Sequence, residues 1–280
     1  MLEIQDLKPL IGHKKAQEVI IKLIDENRLP HAILLHGTSG IGKAKFAEIL
    51  AKMIICGNNP ATNKNRFSVN INSDQYKRIC AGSLDAYKVI KPADGKKQIT
   101  VEQVRESMGN LGLISDDKRV IIIDSADDLN PNSANAILKT LEEPPANTML
   151  ILVSSNPAKL LPTISSRCRK IKLDNLATHE VELILEENGF EGKDLTQALE
   201  FCSGSVEKAI EFLTDGKIIL EKINEFFEIE QPFANDVIAL SEKLADKKLK
   251  EDLVYSQIRD IMYNASKKSL GLATPLDNIK

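Results

Sequence analysis

The run Gly37-Thr38-Ser39-Gly40-Ile41-Gly42-Lys43 constrains the fold of this chain more than any other stretch. It fits G-x-x-x-x-G-K. An apolar run, His31 to His36, precedes it, and a segment with Phe46, Ala47, Leu50 and Ile54 at helical spacing follows. Small residues let backbone N–H groups wrap a phosphate where a helix begins, and the lysine reaches the terminal phosphates. The expected phosphate contacts are therefore Gly37, Gly40, Gly42 and Lys43. The plainer alternative is a glycine turn entering a helix. The strand on one side and the helix on the other favour the phosphate loop.

The pattern around that loop alternates strand and helix up to residue 175. Further strands are expected at Ala86–Lys91, Lys118–Asp124, Thr148–Val153 and Arg169–Leu173. Between them lie a helix capped by Thr100 and one opened by Asn130-Pro131 and stopped by Pro144-Pro145. The polar stretch Gly57–Arg78 reads as an insert or long loop. Strands separated by helices predict an α/β domain with a parallel sheet. From Thr178 onward the patterns are helical: Thr178–Glu187, Asp194–Phe201, Ser205–Leu213, and three amphipathic segments between Lys217 and Lys267.

Composition narrows the class. At 280 residues, with 42% apolar and 28% charged residues, the chain has material for real cores, which excludes global disorder. A net charge of -3 excludes a bulk electrostatic hold on nucleic acid and leaves room for a local patch at most. No apolar run approaches the ~18 residues of a membrane span, and the acidic start lacks a signal-peptide layout. Cys56, Cys80, Cys168 and Cys202 are widely spaced, without a C-x-x-C pair. A cytoplasmic protein without disulfides or membrane contact is expected.

The phosphate loop lacks parts that hydrolysis needs. The residue after Lys43 is Ala44, where a Ser or Thr hydroxyl would ligate Mg²⁺. Asp124 ends an Ile-rich strand of the Walker B kind and offers one ligand. The next position, where a glutamate would polarise water, is Ser125, a poor base at neutral pH. Asp127 and Asp128 read as solvated acids near a helix start.

Five stretches together resemble the clamp-loader branch of the AAA+ ATPases, over roughly residues 8 to 213. They are Pro30-His31-Ala32-Ile33-Leu34-Leu35-His36 with the phosphate loop; the strand ending at Asp124; Asn135-Ala136-Ile137-Leu138-Lys139-Thr140-Leu141-Glu142-Glu143-Pro144-Pro145; Leu160-Leu161-Pro162-Thr163-Ile164-Ser165-Ser166-Arg167-Cys168; and Gly204-Ser205. The resemblance implies a RecA-like AAA+ domain over 1–175, an all-helical lid over 176–216 and a helical collar for oligomerisation over 217–280. It also implies a ring in which ATP sits between neighbours. Arg167, positioned by Ser166 and Cys168, would be an arginine finger reaching the neighbour's ATP, a role worth ~10³–10⁵ in rate. The implied partners are the motor (tau/gamma) and delta subunits, a sliding clamp, and primer-template DNA through the assembly.

Departures from the family pattern sharpen the expectation. Relatives that hydrolyse ATP carry a lid arginine where this chain has Glu207, an acid that repels phosphate; Lys208 beside it points about 100° away around a helix. With Ala44 and Ser125, this predicts a non-hydrolysing subunit with no required cofactor and a degenerate ATP/Mg²⁺ site. Ser155 and Asn156, sensor-like in position, would be kept for structure. Many relatives carry a four-cysteine zinc module after the phosphate-loop helix; Cys56 and Cys80 remain here without the other spacings, so no zinc is expected. Residues Ala61 to Arg119 hold eleven basic and seven acidic residues, weak support for a DNA-facing patch. The alternatives are an ATP-hydrolysing motor subunit and an unrelated phosphate-loop kinase.

Overall fold

The structure is a computed structural model that describes residues 10–58, 66–109 and 118–216. The chain divides into two units, at Asn175 and Leu176.

In the first unit, the described strands are β1 (Ala32–His36), β2 (Tyr87–Ile90), β3 (Arg119–Asp124), β4 (Thr148–Ser154) and β5 (Arg169–Lys172). They form one sheet in the order β2-β3-β4-β1-β5, and every pairing is parallel. This is the α/β architecture with a parallel sheet that the alternation of strand and helix predicts. The helices of the unit are α1 (Lys14–Asp25), α2 (Lys43–Cys56), α3 (Asp74–Cys80), α4 (Val101–Gly109), α5 (Pro131–Glu142) and α6 (Pro162–Ser165).

Side chains alternate across a strand, so each strand feeds two cores. Ile33 and Leu35 of β1, Val120 and Ile122 of β3, and Ile151 and Val153 of β4 face one side, where they meet Phe46 and Leu50 of α2 and Ile20 of α1. Ala32, Leu34, Ile121, Ile123, Leu150 and Leu152 face the other, against Val104 of α4 and Ala134, Ile137 and Leu141 of α5. At ~1.5–3 kcal/mol for each large side chain buried, these faces account for the stacking of helices on both sides of the sheet.

The caps agree with the sequence. The Asn130 side-chain oxygen accepts from the Ser133 N–H at 2.9 Å, with Pro131 at the first helical position. Thr100 and Gln103 satisfy each other's amides: Gln103 N–H donates to the Thr100 hydroxyl oxygen, and Thr100 N–H to the Gln103 side-chain oxygen. The Gly57–Arg78 expectation fails in part. Ser73 caps α3 by accepting from the Tyr76 N–H, and Phe67, Val69 and Tyr76 are buried in the α2-side core. The excess of Asn and Ser hid three apolar anchors. Helix α1 was not anticipated at all, although it buries Ala16 and Ile20 on one face.

The second unit contains α7 (Thr178–Glu187), α8 (Lys193–Phe201) and α9 (Val206–Glu211), followed by a π-helical turn, Phe212–Gly216. Val181, Leu185, Ala198, Phe201, Cys202, Ala209 and Phe212 form its core, in which Phe201 and Phe212 stack with ring centroids 5.3 Å apart. The expected collar, 217–280, with its three amphipathic segments, lies outside the described residues. Among the described residues, no helix is long and apolar enough to cross a membrane.

Gly37 joins β1 to the phosphate loop where backbone approaches backbone. A Cβ there would lie 2.3 Å from the Leu173 carbonyl oxygen and 2.8 Å from Ile41 Cδ1. Gly37→Ala is expected to destabilise the chain by about 1–3 kcal/mol in urea unfolding. Gly109→Ala, with nothing within 4 Å of the added atom, is expected to stay within about 0.5 kcal/mol of the parent.

Candidate functional site: a phosphate loop on one sheet edge and an arginine turn on the other

The phosphate loop leaves the carboxyl end of β1, where ligands of open α/β sheets bind. Gly40 and Gly42 hold φ of +74° and +91°, which side chains with a Cβ resist. Lys43 is the first residue of α2 and only 5% exposed. Its Nζ donates to the Thr38 carbonyl at 2.6 Å, so the lysine spans its own loop. His13, which the sequence did not single out, ties the entry of α1 to this loop: its Nε2 lies 2.7 Å from the Ile41 carbonyl, and its ring stands edge-on to Phe46.

The register sets Asp124 of β3 level with Val153 of β4, and His36 of β1 level with Ser154. Three strand ends thus meet at one edge. Burial pushes the Asp124 carboxyl above its ordinary value, Lys43 and Lys91 pull it back, and Asp128 adds to the rise. Lys43 and the loop amides are placed to contact a phosphate, and Ala44 beside the lysine offers no oxygen to a metal.

Ser125 is engaged by backbone rather than poised over a nucleophile. Its hydroxyl lies 3.4 Å from the Val153 carbonyl and accepts from the Asp127 N–H, capping a short 3-10 turn at Ala126–Asp128. Asp127 corrects the expectation of a solvated acid. Its carboxylate accepts from the Ser154 hydroxyl at 2.6 Å and from the N–H groups of Ser155 and Asn156 at 2.7 and 3.1 Å. One side chain therefore pins the loop after β4, and the sensor-like Ser155 and Asn156 are held by their backbone amides. Asp128 carries a carboxyl raised first by burial and then by Asp127, with Lys159 opposing.

Arg167 stands elsewhere. Ile33 of β1 is level with Arg169 of β5 in a parallel pair, so Arg167 precedes the amino end of β5. The phosphate loop follows the carboxyl end of β1: Gly37 is four residues beyond Ile33, or roughly 13 Å along the strands at ~3.3 Å each, and Arg167 lies on the turn before the other end of that span. The Arg167 side chain is 36% exposed. Its Nη1 donates to the Thr163 carbonyl at 2.9 Å, and its Nη2 pairs with Glu142 Oε1 at 2.8 Å. The Ser166 hydroxyl donates to the same Thr163 carbonyl at 3.2 Å. Cys168 is buried against the α5-side core, and burial pushes its thiol up to about 11 despite Lys170, so it packs rather than reacts. Leu161, at the start of this turn, is a large apolar side chain left 37% exposed. The ion pair with Glu142 joins the L-E-E-P-P and S-R-C stretches, and their meeting is a tertiary fact.

In the second unit, the Ser205 hydroxyl caps α9 by accepting from the Lys208 N–H, and Glu207 sits exposed in its first turn. Among the described residues, no group of three His, Cys, Asp or Glu side chains is gathered closely enough to hold a metal ion; Cys56 is buried and Cys80 exposed.

The raised Asp124 carboxyl has a consequence for stability. The folded chain holds this proton to higher pH than the unfolded chain, whose carboxyl titrates near 3.8. Between those two values the folded state binds more protons, so this group makes stability fall as pH rises. Asp124→Asn removes the effect. The variant is expected to match the parent near pH 3.5 and to exceed it at pH 7 in urea unfolding midpoints. A parent that is the more stable at pH 7 would refute this sign.

A family model described as "DNA polymerase III, delta subunit" matches residues 12–177. The chain is 37% identical over 140 residues to the delta' subunit of DNA polymerase III from Pseudomonas aeruginosa, a match covering 49% of this chain and 41% of that one. It is 30% identical over 214 residues to the delta' subunit from Bacillus subtilis, covering 75% and 60%. It is 31% identical over 217 residues to the gamma subunit from Buchnera aphidicola, covering 75% and 58%. The chain thus spans about two fifths to three fifths of the length of these relatives. The family match takes in the phosphate loop, Asp124, the Glu142 end of α5 and the Arg167 turn, and by it this chain belongs to the DNA polymerase III delta-subunit family.

Proposed function

We propose that the chain is a clamp-loader subunit that does not hydrolyse ATP itself and lends Arg167 to the ATP site of a neighbouring motor subunit. The observation that carries this reading is the separation of the two sites. Arg167 lies on the turn before β5, at the amino edge of the sheet, and the chain's own phosphate loop leaves the carboxyl end of β1, the strand beside it. An exposed guanidinium held on a short turn, with Leu161 beside it, suits the boundary with a second subunit. Its fixed charge and planar fork of donors would neutralise charge on a transferring phosphate.

At the chain's own loop, Ala44 offers no oxygen and Ser125 is occupied as a cap. Lys43 and the loop amides retain the means to touch a phosphate, which supports at most nucleotide contact without turnover. The reading requires neither zinc nor any other resident metal. The partners it implies are motor subunits of the tau/gamma kind, a delta subunit, a sliding clamp, and primer-template DNA reached through the assembly.

A second reading, an ATP-hydrolysing motor subunit, draws on the gamma relative, which aligns with 75% of this chain. Turnover separates the two. The isolated chain is expected to hydrolyse ATP no faster than its Lys43→Ala variant. Turnover on the order of 1 s⁻¹ that Lys43→Ala abolishes would establish the motor reading instead.

The finger has its own test. In rings reconstituted with motor and delta subunits, in which only the motor subunit next to this chain is competent, Arg167→Ala is expected to slow clamp- and DNA-stimulated ATP hydrolysis by about 10³-fold. Assembly, followed by size-exclusion chromatography, should persist. Arg167→Lys should also be impaired, since an ammonium keeps the charge and loses the fork. Parent rates from Arg167→Ala rings would remove the role.

A further inference from the structure

Arg167 is gripped by both ends of its guanidinium. Nη1 donates to the Thr163 carbonyl at 2.9 Å, and Nη2 pairs with Glu142 Oε1 at 2.8 Å. The second grip comes from a rigid element. Glu142 is the last residue of α5, a helix anchored in the core by Ala134, Ile137 and Leu141, capped at its start by Asn130, and closed at its end by the Glu143 N–H donating to the Lys139 carbonyl at 2.9 Å. His31 adds a tie, its Nε2 lying 3.1 Å from the Leu141 carbonyl. The carboxylate therefore arrives from a packed helix end, immediately before Pro144-Pro145, and not from a loop.

We infer that Glu142 is the positioning residue of the arginine finger, holding the Arg167 guanidinium in one orientation before a neighbour's phosphate reaches it. This rests on the reading of Arg167 as a finger. An unrestrained arginine spreads over many rotamers, and that freedom must be lost before its donors meet a phosphate. A grip made in advance removes the loss from the catalytic step, as preorganised donors do. The guanidinium has five N–H donors. The two contacts take one from each terminal nitrogen and leave three for the incoming anion. Glu142 is 51% exposed, so water screens its charge and little repulsion reaches a phosphate on the far side of the arginine.

The opposite role, a latch that hides the finger, makes the opposite prediction. In the same reconstituted rings, with only the adjacent motor subunit competent, Glu142→Ala is expected to lower kcat for ATP hydrolysis about threefold to fivefold, the scale of one partly exposed ion pair. KM for ATP should not change, as for an interaction realised in the transition state. Glu142→Gln, which keeps an acceptor oxygen at the same reach, should recover part of the rate. The Glu142→Ala/Arg167→Ala double variant should be no slower than Arg167→Ala alone, because Glu142 acts only through Arg167. Thermal unfolding and size-exclusion of each variant accompany the rates, and Glu142→Gln carries the measurement if Glu142→Ala does not fold.

A faster Glu142→Ala ring would overturn positioning in favour of the latch. A further loss in the double variant would make Glu142 a packing residue and overturn the inference. Parent rates from Glu142→Ala beside a slow Arg167→Ala would overturn the Glu142 role alone and leave the finger standing. Parent rates from Arg167→Ala would remove the finger, and with it anything for Glu142 to position.

Discussion

The two-sided pairing of β1 is the constraint on which the rest depends. Ala32, Ile33, Leu34 and Leu35 are all but fully buried, with β4 on one side and β5 on the other. A strand buried on both faces cannot slip by one residue without exchanging its two cores. Its end, and hence the start of the phosphate loop, is therefore fixed to the residue. The same pairing fixes where β5 begins, and so where the Arg167 turn must stand. One strand thus places the phosphate loop at the carboxyl edge and the arginine at the amino edge.

That separation gives the chain its two unlike ends. At the carboxyl edge, Lys43 reaches its own loop carbonyl, Asp127 fastens the loop after β4, and Ser125 caps a turn. Each polar group is engaged in holding a loop, and a metal-ligating hydroxyl is missing at Ala44. At the amino edge, an arginine on a short turn is held by a helix-end carboxylate and a carbonyl while staying accessible. On the proposed reading, the first edge keeps the frame of a nucleotide site without the parts that hydrolysis needs. The second keeps a charged group pointing at nothing within its own phosphate loop. A subunit that completes a neighbour's site would have this division.

Charge and burial divide along the same lines. Asp124 and Cys168 sit where burial opposes ionisation. Arg167 and Glu142 remain partly in water, where a pair contributes little to stability. On the inference drawn above, their value would lie in orientation, the guanidinium gaining a direction at small cost in solvation.

Local sequence determined most of the elements, including the strand, loop and helix around Lys43. A glycine-rich loop between an apolar run and a helical pattern, Asn130-Pro131 opening a helix and Pro144-Pro145 closing it depend on a few neighbouring residues, so they can be read along the chain. The missing hydroxyl at Ala44 was equally legible, because it needs no fold to be seen. Three things needed the tertiary structure. Helix α3 and its buried Tyr76 lie in a stretch whose polar composition reads as loop, and distant core contacts outweighed that local signal. Asp127 resembled a solvated acid until β4 was set beside β3, bringing the Ser155 and Asn156 amides to it. The Glu142–Arg167 pair joins residues twenty-five positions apart, and a salt bridge at that spacing has no periodicity to announce it. Contacts set by backbone period are written locally, whereas contacts set by sheet order and register exist only once the strands have paired.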